Sequence, residues 1–127
     1  MAMTNILLWL YLVNAVLLIV HEIDSAYWQE WKLFKLPGGL TGFLLIHIPL
    51  VFLILWGLLE LSKGTMAGII LSLVLALAGI FAFSIHTYFI RKGREEFKTP
   101  VSMTILTATL CVSGAQLIAT LMRLLLS

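Results

Sequence analysis

The sequence predicts an all-α bundle of four transmembrane helices, and three observations carry that prediction. Hydrophobic residues fill 61% of the 127 positions and charged residues only 11%, whereas a soluble domain carries about 25% charged residues. The mean hydropathy of +1.09 means more apolar surface than so short a chain can hide from water. The apolar residues also fall into four long stretches, each close to the ~20 residues that cross ~30 Å of hydrocarbon. The whole chain, 1–127, reads as a single integral membrane domain with spans at about 5–23, 40–61, 66–90 and 101–126.

Each span has a chemical reason to start or stop. The first has no Lys or Arg before it and no clean small-x-small site after it, so it is expected to be a retained helix rather than a signal peptide. Pro37-Gly38-Gly39 cannot continue a helix and opens the second span. Ser62-Lys63-Gly64-Thr65 is a tight turn, which makes the second and third helices antiparallel neighbours, and Glu60 marks the end of the second span. Arg91-Lys92-Gly93-Arg94-Glu95-Glu96-Phe97-Lys98 is the only charge run, a solvated and topogenic loop. Thr99-Pro100 then supplies an N-cap and a first-turn proline to the fourth helix.

The loops after the first and third spans hold six of the eight basic residues. Basic residues in short loops mark the cytoplasmic side. A multi-pass protein of the bacterial inner (plasma) membrane with both termini outside the cytoplasm is therefore expected. Tyr27, Trp28 and Trp31, followed by Lys32, Phe34 and Lys35, form an interfacial stretch at headgroup depth. The net charge of +2 argues against nucleic acid as a partner. The lone Cys111 excludes an internal disulfide and a cysteine-based zinc site; it is expected to be a small core residue.

Three histidines, one per helix, carry most of the candidate chemistry. His21, His47 and His86 fall at similar depth in the half of the bilayer next to the basic loops, counting 1.5 Å per residue. On the first helix Asn14, His21, Asp24 and Ser25 share a face at 100° per residue, and a polar stripe there should face protein or a water-filled cavity. On the third helix Gly68, Ser72, Gly79, Ala82 and His86 share a face whose small residues permit close packing. On the fourth, Thr104, Thr107, Ala108, Cys111 and Ala115 form a comparable stripe. His47 precedes Pro49, which leaves the Leu45 carbonyl without its helical donor. Glu22 and Asp24 flank the end of the first span, and Asp24 can orient His21 three residues away. Gln116 is expected to bridge helices.

One histidine on an apolar helix ordinarily makes a structural hydrogen bond. Three at one depth with Asp24 point instead to a polar site, with His21, Asp24 and His86 as candidate catalytic groups. His47, Glu22, Asn14 and Thr107 are candidate binding groups. His21, Asp24, His47 and His86 also form a candidate metal set, and imidazole with carboxylate suits zinc or iron. Several known chemistries are absent. The second histidine of a zincin helix is missing after His21-Glu22, and there are no paired His-rich boxes, phosphate loop, serine elbow or CxxCH.

The stretch His21-Glu22-Ile23-Asp24-Ser25-Ala26-Tyr27-Trp28-Gln29-Glu30-Trp31, followed by Leu36-Pro37-Gly38-Gly39-Leu40-Thr41-Gly42-Phe43, resembles an uncharacterised family of small four-span bacterial membrane proteins, a domain of unknown function. More loosely the chain is similar to the HXXEE-type membrane domain. That resemblance implies an enzyme in which His21 is the early histidine, Asp24 the first acid and His86 the later histidine; Ser25 stands where the second acid would be. Two functional expectations follow. The first is metal binding or acid/base catalysis on an apolar or lipid substrate at the cytoplasmic side. The second is a non-enzymatic membrane subunit, assembly factor or oligomeric transporter component, forming a homo-oligomer or joining a partner membrane subunit within the lipid bilayer.

Overall fold

The computed structural model describes residues 2–126. Four long helices account for the apolar stretches: α1 (Ala2–Tyr27), α3 (Gly39–Ser62), α4 (Met66–Arg91) and α5 (Pro100–Leu125), with a single turn, α2 (Glu30–Leu33), between the first two. Helices of 24 to 26 residues are about 36–39 Å long, enough to span the hydrocarbon with a turn to spare. All four are long and apolar enough to cross a membrane. The first helix runs four residues beyond the predicted span, because the polar end of α1 stays helical and turns His21 and Ser25 into the protein. α3 continues through Pro49 without interruption.

The predicted cap at Thr99 is in place, and Thr65 adds one that the turn reading did not name. Thr99 accepts a hydrogen bond from the Ser102 N–H at 3.2 Å, with Pro100 as the first helical residue. Thr65 does the same for Gly68 at the start of α4. Glu60 accepts from Lys63 at 2.7 Å and from the Thr65 hydroxyl at 2.9 Å, which closes the tight α3–α4 turn.

Around the bundle the order is α3, α4, α5, α1, with α3 and α5 on opposite corners and out of contact. α4 packs most closely on α5, and α1 on α5. The buried stripes explain why. Leu7, Tyr11, Asn14, Leu18, His21 and Ser25 on α1 repeat at alternating steps of four and three, as do Ser102, Leu106, Thr109, Ser113, Gln116 and Thr120 on α5. That is the seam spacing of antiparallel bundles. On α4 the small-residue face of Gly68, Ser72, Gly79, Ala82 and His86 is buried throughout. By contrast, α3 buries only Phe43, Gly57 and Leu61.

The centre of the seam is polar and fully paired. The Ser113 hydroxyl donates to Asn14 Oδ1 at 3.1 Å, and Asn14 Nδ2 donates to Gln116 Oε1 at 2.7 Å. Gln116 Nε2 donates to both the Ser72 carbonyl and its hydroxyl at 3.0 Å. The Thr120 hydroxyl is committed to the Gln116 carbonyl at 2.8 Å, so Ser72 donates to it at 2.9 Å. Gln116 thus bridges α1, α4 and α5. Tyr11 ties α1 to α3 by donating to the Ile54 carbonyl at 2.9 Å, and its hydroxyl sits where a side chain at Gly57 would be.

On α5 the face is corrected. Thr104, Thr107, Cys111 and Ala115 are exposed, and the hydroxyls that enter the bundle belong to the opposite stripe. Both stripes have bundle spacing, and a helical Ser or Thr can satisfy its hydroxyl on its own preceding turn, as Thr104 does on the Pro100 carbonyl at 2.7 Å. Polarity alone therefore does not mark the inner face. Cys111 is an exposed residue, not a core one.

Close α4–α5 packing at Gly79 gives a paired test. A Cβ at Gly79 would fall on Ser113 Oγ, whereas one at Gly114 meets nothing within 4 Å. Gly79→Ala is expected to cost about 1–3 kcal/mol through overpacking, read as a lower thermal midpoint in detergent. Gly114→Ala is expected to be neutral or to stabilise by up to ~1 kcal/mol through helix propensity.

Candidate functional site

The candidate site forms where α1 ends, and its geometry starts with a backbone reversal. α1 stops at Tyr27, and Gln29 adopts a left-handed conformation at φ 54°. This costs a non-glycine residue about 1–2 kcal/mol and folds α2 back across the end of the bundle. Glu30 is thereby turned toward α4. The charged loop 92–99 folds over the same end, with Phe97 also left-handed at φ 68° and its side chain fully buried. Phe97 packs with Leu33 and Leu106 in a small apolar cluster, flanked by Trp28, Phe83 and Phe89.

Beneath this cap, His21 and His86 meet edge to face, with ring centroids 4.7 Å apart. Phe97 lies 4.1 Å from the His86 ring and 5.7 Å from that of His21. Both histidines are 2% exposed, which keeps bulk water from them. His86 Nδ1 donates to the Ala82 carbonyl at 2.7 Å. A carbonyl can only accept, so Nδ1 carries a proton, and in the neutral ring Nε2 keeps its lone pair for another partner. Glu30 Oε2 stands 3.8 Å from that nitrogen, too far for a hydrogen bond. One ligand atom each from His21, Glu30 and His86 lie within 4.8 Å of one another.

Polar atoms around the cluster lack partners. His21 Nδ1, Asp24 Oδ2, Ser25 Oγ, Trp28 Nε1, Glu30 Oε2 and His86 Nε2 are buried without a hydrogen bond. Buried polar groups are ordinarily paired, and each unpaired one costs roughly 1–3 kcal/mol. Burial pushes the Glu30 carboxyl up, but the facing His86 and Ser25 outweigh it and hold Glu30 below the ordinary glutamate range.

The sequence-predicted residues divide among three places. His21 and His86 come together. Asp24 is half-buried beside them, one of its oxygens unpartnered. His47 lies elsewhere: its Nδ1 donates to the Phe43 carbonyl at 2.6 Å and its Nε2 pairs with Glu22 Oε2 at 2.6 Å, between α1 and α3. Asn14 belongs to the mid-bundle network, about 10 Å along α1 from His21, and Thr107 faces outward. Glu30 is the member that sequence reasoning missed. Nine residues after His21, it would lie about 180° away on a continuous helix. Only the reversal at Gln29 returns it to the same side, and no motif in the sequence announces a left-handed glutamine.

These features define an all-α polytopic membrane protein of four spanning-length helices, with a His/His/Glu cluster at one end. The chain belongs to DUF6713, a family of unknown function whose model matches residues 7–123. Neither the curated proteins nor the solved structures give a match.

Phe97 packs against both histidine rings, and its part in shielding them can be tested directly. Phe97→Ala is expected to cost about 3–5 kcal/mol. It should also raise the rate at which diethyl pyrocarbonate modifies His21 and His86, relative to His47, as read by peptide mass spectrometry.

Proposed function

We propose that the chain is a membrane-embedded metal-binding protein, in which His21, Glu30 and His86 hold a divalent cation of the zinc or iron class at the cytoplasmic edge of the bilayer. The observation that carries this reading is the set of buried, unpartnered donor atoms on these three residues, brought together from α1, α2 and α4. The backbone bond at His86 Nδ1 is the outer contact that metal-binding histidines commonly make. Two ligand atoms on one zinc ion lie about 3.4 Å apart, given bonds of ~2.1 Å. The cluster therefore has to close by roughly an ångström, within reach of side-chain rotation.

Three protein ligands leave a coordination position for water or a substrate oxygen, the pattern of catalytic rather than structural sites. Asp24, Ser25 and Trp28 supply an acceptor, a hydroxyl and an N–H beside it. The bound cation would supply Lewis acidity, and Asp24 can hold or move a proton next to it. The reading is therefore acid/base or hydrolytic chemistry on a substrate that reaches the membrane interface. A second reading, a docking subunit of a larger membrane assembly, is favoured by α3, which buries only Phe43, Gly57 and Leu61.

The test is equilibrium zinc binding to the detergent-purified chain. About one ion per chain is expected for the wild type and for His47→Ala. A loss of at least ~10-fold in affinity is expected for His21→Ala, His86→Ala and Glu30→Gln. Binding should weaken on acidification, since protonated imidazoles cannot ligate. Wild-type protein that takes up no ion, or a triple variant that binds as well as wild type, would sink the metal reading.

A further inference from the structure

A second polar pair lies away from the cluster, at one end of an apolar groove. The groove runs between α1, α3 and α4, with a volume of about 190 Å³, and is lined by Leu18, Leu50, Ile54, Val74 and Leu75. Leu50 and Val74 are themselves exposed, so the groove opens sideways onto the lipid-facing surface. Its far end is Tyr11, whose hydroxyl is already committed to Ile54. Its near end is Glu22 and His47. From Tyr11 to Glu22 the groove follows α1 for about 16 Å, close to half of the ~30 Å hydrocarbon core and so to one leaflet. Its volume is below the ~300–1,000 Å³ of a closed small-molecule pocket, which suits one hydrocarbon chain and not a bulkier ligand.

The polar end is incompletely satisfied. His47 spends both ring nitrogens, on Phe43 and on Glu22 Oε2. Glu22 makes no other hydrogen bond among the described residues, so Oε1 remains an acceptor in either ionisation state of the pair. Glu22 lies at the end of the predicted first span and its side chain is 30% exposed, so Oε1 is open to a donor that arrives at headgroup depth.

We propose that this groove binds one acyl chain of a membrane phospholipid whose head ends in a primary ammonium, with the ammonium donating to Glu22 and the chain lying along α1 toward Tyr11. The ammonium supplies both the N–H donor and the charge opposite to the carboxylate. A trimethylammonium head, with no N–H, supplies only the charge. This site is independent of the metal reading, since no proposed ligand lines the groove.

The test offers the full-length protein an equimolar mixture of phosphatidylethanolamine and phosphatidylcholine with identical acyl chains and counts retained lipids by native mass spectrometry. Wild type is expected to retain the ammonium lipid about 10-fold over the trimethylammonium lipid. Glu22→Gln should bring that ratio close to one. Val74→Trp, a filling substitution at an exposed groove position, should lower the occupancy of both lipids. His86→Ala, which removes a proposed metal ligand, should leave the preference intact, so failure here and failure of the metal reading are distinguishable. Far-UV circular dichroism and a single elution peak confirm that each variant is folded. Equal retention of the two heads by wild type, a preference that survives Glu22→Gln, or occupancy unchanged by Val74→Trp would each overturn the proposal.

Discussion

Within hydrocarbon, a polar group has only the protein to bond with, and the packing of this bundle is organised by that constraint. Asn14, Ser72, Ser113, Gln116 and Thr120 meet it completely, each donor aimed at a named acceptor. Their network selects which faces of α1, α4 and α5 turn inward, since rotating any of the three helices would strand an amide or a hydroxyl in lipid. Lipid tails are as apolar as leucine, so apolar contact alone does not make this choice. The small residues of α4 follow from the same demand, because helices must approach closely before short side chains can bond across the seam.

At the charged-loop end the constraint is left unmet. Unpaired polar atoms gather around His21, Glu30 and His86, and two left-handed non-glycine residues, Gln29 and Phe97, shape the backbone over them. Strain of this kind persists where the surroundings over-determine it, and it concentrates at ligand clamps and active sites. The fold spends stability twice in one place, on backbone conformation and on desolvated donors, while the mid-bundle network is well satisfied. A ligand that bonds those atoms would recover part of that cost on binding.

How far the molecule could be read from its residues depended on the range of the deciding interaction. The four helices, the cap at Thr99, the tight turn before α4 and the packed face of α4 follow from neighbours within four residues, so periodicity and turn chemistry reveal them. The pairing of His21 with His86 was half legible, through common depth and inward faces. The inner face of α5 was not, because Thr104 and Thr109 each satisfy a hydroxyl on the preceding turn and look alike in sequence. Glu30 and His47 went astray for a shared reason. Depth along a helix can be counted, but the rotation of α3 and the reversal at Gln29 are set by tertiary packing. His47 is at the expected level and faces Glu22, on the side of α1 away from His21.

The bond between Asn14 and Gln116 joins residues 102 positions apart. A ribosome adds roughly 5–20 residues per second, so Asn14 emerges on the order of 5–20 s before its partner exists. During that interval α1 carries an amide with no native acceptor, and α4 waits with Ser72 unbridged. The earlier helices can lie side by side in the bilayer, but the register of α1 against α4 is set only when the last helix arrives between them. The emergence of α5 is therefore a locking step, and a chain interrupted before it would present the cell with an open amide inside its membrane.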